Sequence, residues 1–71
     1  MTDTIGNRLK TLRAEHDLSQ EKLAEELDIA RTTVSHLENG NREPSLYMLM
    51  AYAEHFGVST DWILFGKEYE G

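Results

Sequence analysis

Apolar residues recur along this chain at intervals of three and four, the period of an α-helix with one buried face, and no stretch alternates as a half-buried strand does. Ile5, Leu9 and Leu12 predict a first helix from about Thr4 to His16, with Asp3 or Thr4 as its N-cap and Leu18 closing the turn after it. Ser19 then offers a hydroxyl to the orphan amides of a second helix whose inner face is Leu23, Ala24 and Leu27. Its capping box is incomplete, because Lys22 holds the position that Glu or Gln would fill. A third, short helix buries Val34 and Leu37; Gly40 ends it by taking positive φ at little cost, and Pro44 prevents an early restart. Ser45 caps a fourth helix, with Leu46, Leu49, Met50, Ala53 and Phe56 in one stripe and Gly57 as its stop. Tyr47, Met48 and Tyr52 fall on its less apolar side, as spare surface or a second contact. Ser59 and Asp61 start a fifth helix containing Trp62, Ile63 and Phe65, which Gly66 ends, and residues 67–71 are expected to fray. The class is all-α, with neither repeat nor linker.

The second and third helices lie so close in sequence that they form a helix-turn-helix, whose second helix can enter the DNA major groove where base edges are legible. With Val34 and Leu37 inward, Arg31, Thr32, Ser35, His36 and Asn39 occupy the outer side of helix 3. Arg31 has the fork that pairs with guanine O6 and N7; the alternative is a solvated arginine paired with Asp28 or with a phosphate. Thr32 either bonds a base or touches a thymine methyl, or else merely supports the helix start. His36 can donate or accept, and Ser35 reaches either a base or a phosphate. Arg8, Lys10 and Lys22 read as ordinary helix-surface cations that add long-range attraction at most. Trp62, Ile63, Phe65 and Tyr69 gather at the end of a chain too small to bury every aromatic. They suggest a partner surface, unless Trp62 and Ile63 close the domain's own core.

Composition complicates this reading. Thirteen acidic against seven basic side chains leave a net charge of −6, whereas groove binders are usually basic. Screening limits the conflict, since charges more than about 8 Å apart across solvent barely interact at physiological salt. Glu25, Glu26, Asp28, Glu54, Glu68 and Glu70 all lie where they need not face a phosphate. The surplus still lowers non-specific affinity, so binding depends on correct contacts. A chain of 71 residues makes one small domain that buries about 60% of its unfolded surface. With no cysteine it has neither disulfides nor thiolate metal sites, which suits a reducing cytoplasm. The apolar run from Leu46 to Ala53 is far short of a membrane span, and no leader opens the chain. His16, His36 and His55 are widely separated, and ordinary capping explains Ser59 and Asp61 better than a triad with His55 does. No enzyme activity, metal, cofactor or small-molecule ligand is expected.

The runs Leu18-Ser19-Gln20-Glu21-Lys22-Leu23-Ala24, Leu37-Glu38-Asn39-Gly40, Pro44-Ser45-Leu46 and Phe56-Gly57-Val58-Ser59 together resemble the phage repressor and Cro, or XRE-type, helix-turn-helix family. The resemblance covers about residues 4–66 and implies a compact five-helix, lambda-repressor-like DNA-binding domain over 1–66, with 67–71 as a tail. It also implies a homodimeric cytoplasmic regulator, most simply a repressor, that binds a near-palindromic double-stranded DNA operator through helix 3. On this resemblance Gln20 anchors a phosphate, as a helix N-terminus also favours. Asn39, Asn41 and Arg42 run along the backbone, with Glu43 opposing them. Arg13 and Glu38 form an internal salt bridge, and Trp62, Phe65 and Tyr69 meet the second subunit. Two positions depart from the family pattern: Asp28 stands where glycine is common in the turn, and Ala30 removes a cap at the start of helix 3. The competing expectation is a protein-interaction module of antitoxin or anti-repressor type on the same scaffold, its acidic surface meeting a basic partner.

Overall fold

The structure, a computed structural model, describes residues 3–67. Five helices follow one another: α1 (Ile5–Glu15), α2 (Gln20–Leu27), α3 (Arg31–Asn39), α4 (Leu46–Phe56) and α5 (Thr60–Phe65). Four of them begin on a hydroxyl that accepts from the third helical amide: Thr4 from Asn7 at 3.1 Å, Ser19 from Lys22 at 3.0 Å, Ser45 from Met48 at 3.2 Å and Ser59 from Trp62 at 3.0 Å. Each such cap contributes about 1 kcal/mol, and α3, starting after Ala30, has none. The stop signals are equally local. Gly40 at φ 83 ends α3, and Asp28 at φ 58 ends α2 in the left-handed conformation that glycine would adopt with less strain. Asp17, also at φ 56, makes the same turn after α1.

Leu9 and Leu12, Leu23 and Ala24, Val34 and Leu37, and Ile63 form the core together with Leu49, Tyr52, Ala53 and Phe56 of α4. α1 lies against both α3 and α5, α2 against α3 and α4, and α4 against α5. His55 and Glu26, 2.8 Å apart, add a polar tie between α4 and α2. Among the described residues no helix is long and apolar enough to cross a membrane.

The rotation of α4 corrects the sequence reading. Leu46 and Met50, expected inside, are 72% and 56% exposed, whereas Tyr52, expected on the surface, is fully buried. Apart from two tyrosine hydroxyls, only Glu54 and His55 of its eleven residues carry polar side-chain groups, so composition hardly distinguishes one face from another. Packing selects the stripe Leu49, Tyr52, Ala53 and Phe56, which keeps helical spacing and places the larger ring at the centre.

Tyr52 has a fully buried hydroxyl without a hydrogen-bond partner. Burial, and secondarily the charge of Glu38, push its pKa well above the ordinary tyrosine value, with Arg13 opposing. Tyr52→Phe is therefore expected to raise stability by about 1 kcal/mol, the lower end of the cost of an unsatisfied buried polar group. A raised folded-state pKa contributes fully below the unfolded value of about 10 and is lost as pH climbs beyond it. The variant should accordingly also unfold less readily in alkali, as denaturant titrations at pH 7 and pH 10.5 would show.

Arg8 is the second correction. Rather than a surface cation it is 92% buried by its 8% exposure, and it donates from Nε to the Ile63 carbonyl at 2.7 Å and from Nη2 to the Leu64 carbonyl at 2.8 Å. Its Nη1 lies 3.0 Å from the Asp3 carboxylate. The physical reason is the end of α5: its last carbonyls have no intrahelical partner, and the arginine fork supplies donors to them.

Candidate nucleic-acid interface

Val34 and Leu37 are 0% and 1% exposed, so the register of α3 is set by two apolar residues pressed into the core. Arg31, Thr32, His36 and Asn39 are consequently exposed and Ser35 half-buried on the outer side. The only acidic residue of α3, Glu38, is turned inward and 6% exposed. No carboxylate of α3 therefore stands among those outward side chains.

Glu38 joins three helices. Arg13 of α1 donates from Nε to its Oε2 at 2.6 Å and from Nη2 to its Oε1 at 3.0 Å, a two-pronged pair. Gln20, the first residue of α2, donates from Nε2 to the same Oε1 at 3.1 Å. Arg13 also donates to the Leu18 carbonyl at 2.7 Å, which secures the chain just before α2. The hydrogen bond to Glu38 holds the Arg13 guanidinium above its usual pKa against the opposing effect of burial.

The carboxylate thus fixes the start of α2 beside the end of α3. Gln20 is half-buried there, with one amide hydrogen committed to Glu38 and the other available. Beyond α3, Asn39 Oδ1 accepts from the Asn41 amide at 3.0 Å and the Arg42 amide donates to the His36 carbonyl at 3.2 Å, which folds the loop back against the helix. The side chains of Asn41, Arg42 and Glu43 are exposed on that loop.

In α5, Phe65 is 58% exposed, while Trp62 is half-buried and packed against the core. Tyr69 lies outside the described residues. Among the described residues, Leu46, Tyr47 and Met50 of α4 join Phe65 as the exposed large hydrophobics. The sequence held a signal for them: a helix that is apolar nearly all round must have more than one covered face or leave apolar side chains in water. For Arg8, no local pattern distinguished it from other helix-surface cations.

The helix-turn-helix family matches residues 9–63. An uncharacterized HTH-type transcriptional regulator of Methanocaldococcus jannaschii, MJ0272, is 39% identical over 66 residues, covering 93% of this chain and 100% of that protein. Control protein C.MunI of a Mycoplasma species is 46% identical over 67 residues, covering 93% and 90%. The immunity repressor of Bacillus phage phi105 is 35% identical over 65 residues, 92% of this chain but only 44% of the repressor. Among solved structures, SinR in complex with DNA superimposes with a TM-score of 0.78 at 30% identity, over 84% of this chain and 97% of that one. The P22 c2 repressor with a synthetic operator gives 0.86 at 24% identity over 93% and 100%, a likeness of fold. The chain belongs to the helix-turn-helix family in its XRE-type, phage-repressor branch, whose members are transcriptional regulators and not enzymes.

Proposed function

We propose that this DNA-binding transcriptional regulator is a cytoplasmic repressor that binds a near-palindromic operator as a homodimer, with α3 of each subunit in the major groove. The observation that carries this reading is the outer side of α3, where Arg31, Thr32, Ser35 and His36 are presented while Glu38 is withdrawn and neutralised. Overall charge then matters less than the local field at the groove. In this reading Arg31 forks onto guanine, Thr32 and His36 contact neighbouring base edges, and Ser35 reaches a base from its half-buried position. Gln20, Asn39, Asn41 and Arg42 hold phosphates on either side and set register instead of sequence preference.

Exposed apolar side chains of α4 and α5 supply the dimer contact in this reading. Leu46, Tyr47, Met50 and Phe65 expose four large hydrophobic side chains on α4 and α5, away from the base-facing residues in sequence, and Trp62 lies half-buried beside Phe65 in α5. Aromatic residues and methionine are the types enriched at interface cores. A two-fold dimer would present its two copies of α3 about 34 Å apart, one turn of B-DNA. The DNA-bound structure of SinR supports the DNA arm of this reading.

Selection from random duplexes followed by footprinting tests it: the expected product is a symmetric motif with two half-sites one helical turn apart. Arg31→Ala should lose about 1–3 kcal/mol of discrimination at one base position of each half-site, with thermal unfolding unchanged. Recovery of no enriched sequence, even at low salt, would sink the proposal. So would capture of one stoichiometric basic protein by a chain that ignores DNA.

A further inference from the structure

Among the described residues, α1 lies against both α3 and α5, and α2 and α4 join the same two helices by a second, indirect route. Two arginines on α1 make the polar ties. Arg13 grips Glu38 near the end of α3, and Arg8 grips the Ile63 and Leu64 carbonyls at the end of α5. Backbone packing stiffens the α3 tie, since a Cβ added at Gly6 would come within 2.6 Å of the Glu38 carbonyl oxygen. On the α5 side the fit is also tight: a Cβ at Gly66 would meet Asp3 Oδ2 at 3.0 Å and Arg8 Nη1 at 3.4 Å. α1 is therefore a strut with the base-facing helix clamped to one part of it and the helix bearing Phe65 clamped to another.

We infer that Arg8 is a specificity-determining positioning residue: by fixing α5 on α1 it sets the angle between the dimer contact and α3, and hence the half-site spacing that the regulator accepts. This rests on the dimer reading above. Arg8 touches no base in it. Its three nitrogens are engaged inside the chain, on the Ile63, Leu64 and Asp3 carbonyls and the Asp3 carboxylate, and the side chain is buried. Lysine at this position would keep the charge but could not reproduce the planar fork that serves two consecutive carbonyls. α5 would then be freer to tilt, with the apolar contact still in place.

The test uses the full chain and a palindromic duplex recovered by selection, with its centre shortened or lengthened by one base pair, beside a duplex carrying one half-site. Wild type is expected to prefer the selected spacing by about tenfold or more, because mis-spaced half-sites break the match between protein and DNA symmetry. Arg8→Lys should cut that preference several-fold while leaving affinity for the single half-site unchanged. Asp3→Asn, which weakens the clamp from an exposed position and leaves the Thr4 cap intact, should shift preference in the same direction by less. It carries the test if the lysine variant does not fold. Wild-type spacing preference in both variants would overturn the inference, as would equal losses on every duplex including the half-site, the mark of a purely structural role. A wild-type chain that binds one per duplex at every spacing would remove the dimer reading first, and the inference with it.

Discussion

Gly6→Ala is expected to lower the thermal midpoint by more than about 10 °C, from a loss of roughly 2–3 kcal/mol or more in a domain where 1 kcal/mol is worth about 4–8 °C. Helix propensity alone predicts the opposite sign, since alanine is better than glycine inside a helix by about 1 kcal/mol. Tertiary contact decides the outcome. Gly6 is buried where α1 crosses the end of α3, and a methyl group there would lie 2.6 Å from the Glu38 carbonyl oxygen and 2.8 Å from that of Leu37. Both obstacles are backbone, so no side-chain rotation relieves them, and α1 must lift away from α3. A chain of 71 residues has only about 4–10 kcal/mol of total stability to lose. Circular-dichroism melts of the two proteins decide the matter, and an unchanged or raised midpoint would show that α1 does not approach α3 this closely.

Removing the Glu38 carboxylate has the other large effect. Glu38→Ala should cost about 3–5 kcal/mol, because it strands a largely buried guanidinium whose best partner is gone. The side chains of Arg13 and Glu38 are 15% and 3% exposed, so solvent screens the pair little. The loss also frees the Gln20 amide at the start of α2. The double change Arg13→Met with Glu38→Met should recover most of the stability, since apolar replacement of both partners is often neutral or better. It should not recover DNA affinity, because Gln20 loses its hydrogen bond to Glu38 in the double variant as in the single one. Denaturant unfolding and gel shifts on the same proteins separate these consequences. A single variant as stable as wild type would show that the pair contributes nothing, and full DNA affinity in the double variant would show that Gln20 needs no tether.

Much of this molecule is decided by neighbours in sequence. A serine or threonine hydroxyl reaches an amide three residues on, so Thr4, Ser19, Ser45 and Ser59 mark helix starts wherever the chain goes next. Gly40 and Gly57 mark stops for an equally local reason, the low cost of positive φ. The outer side of α3 was legible because Val34 and Leu37 are its only large apolar residues, and two such residues three apart orient a short helix.

Tertiary structure alone decided the rest. α4 offers apolar side chains around most of its circumference, so only the shape of the surrounding core could choose Tyr52 over Met50 and leave Leu46 and Met50 outside with Tyr47 and Phe65. Arg8 reads like any helix-surface cation until the end of α5, some fifty-five residues later, brings it two carbonyls without partners. Gln20 likewise meets Glu38 eighteen residues away. Caps and turns are settled within about one turn of helix, whereas the rotation of a mostly apolar helix and the partners of a buried charge depend on surfaces that exist only once distant segments have packed.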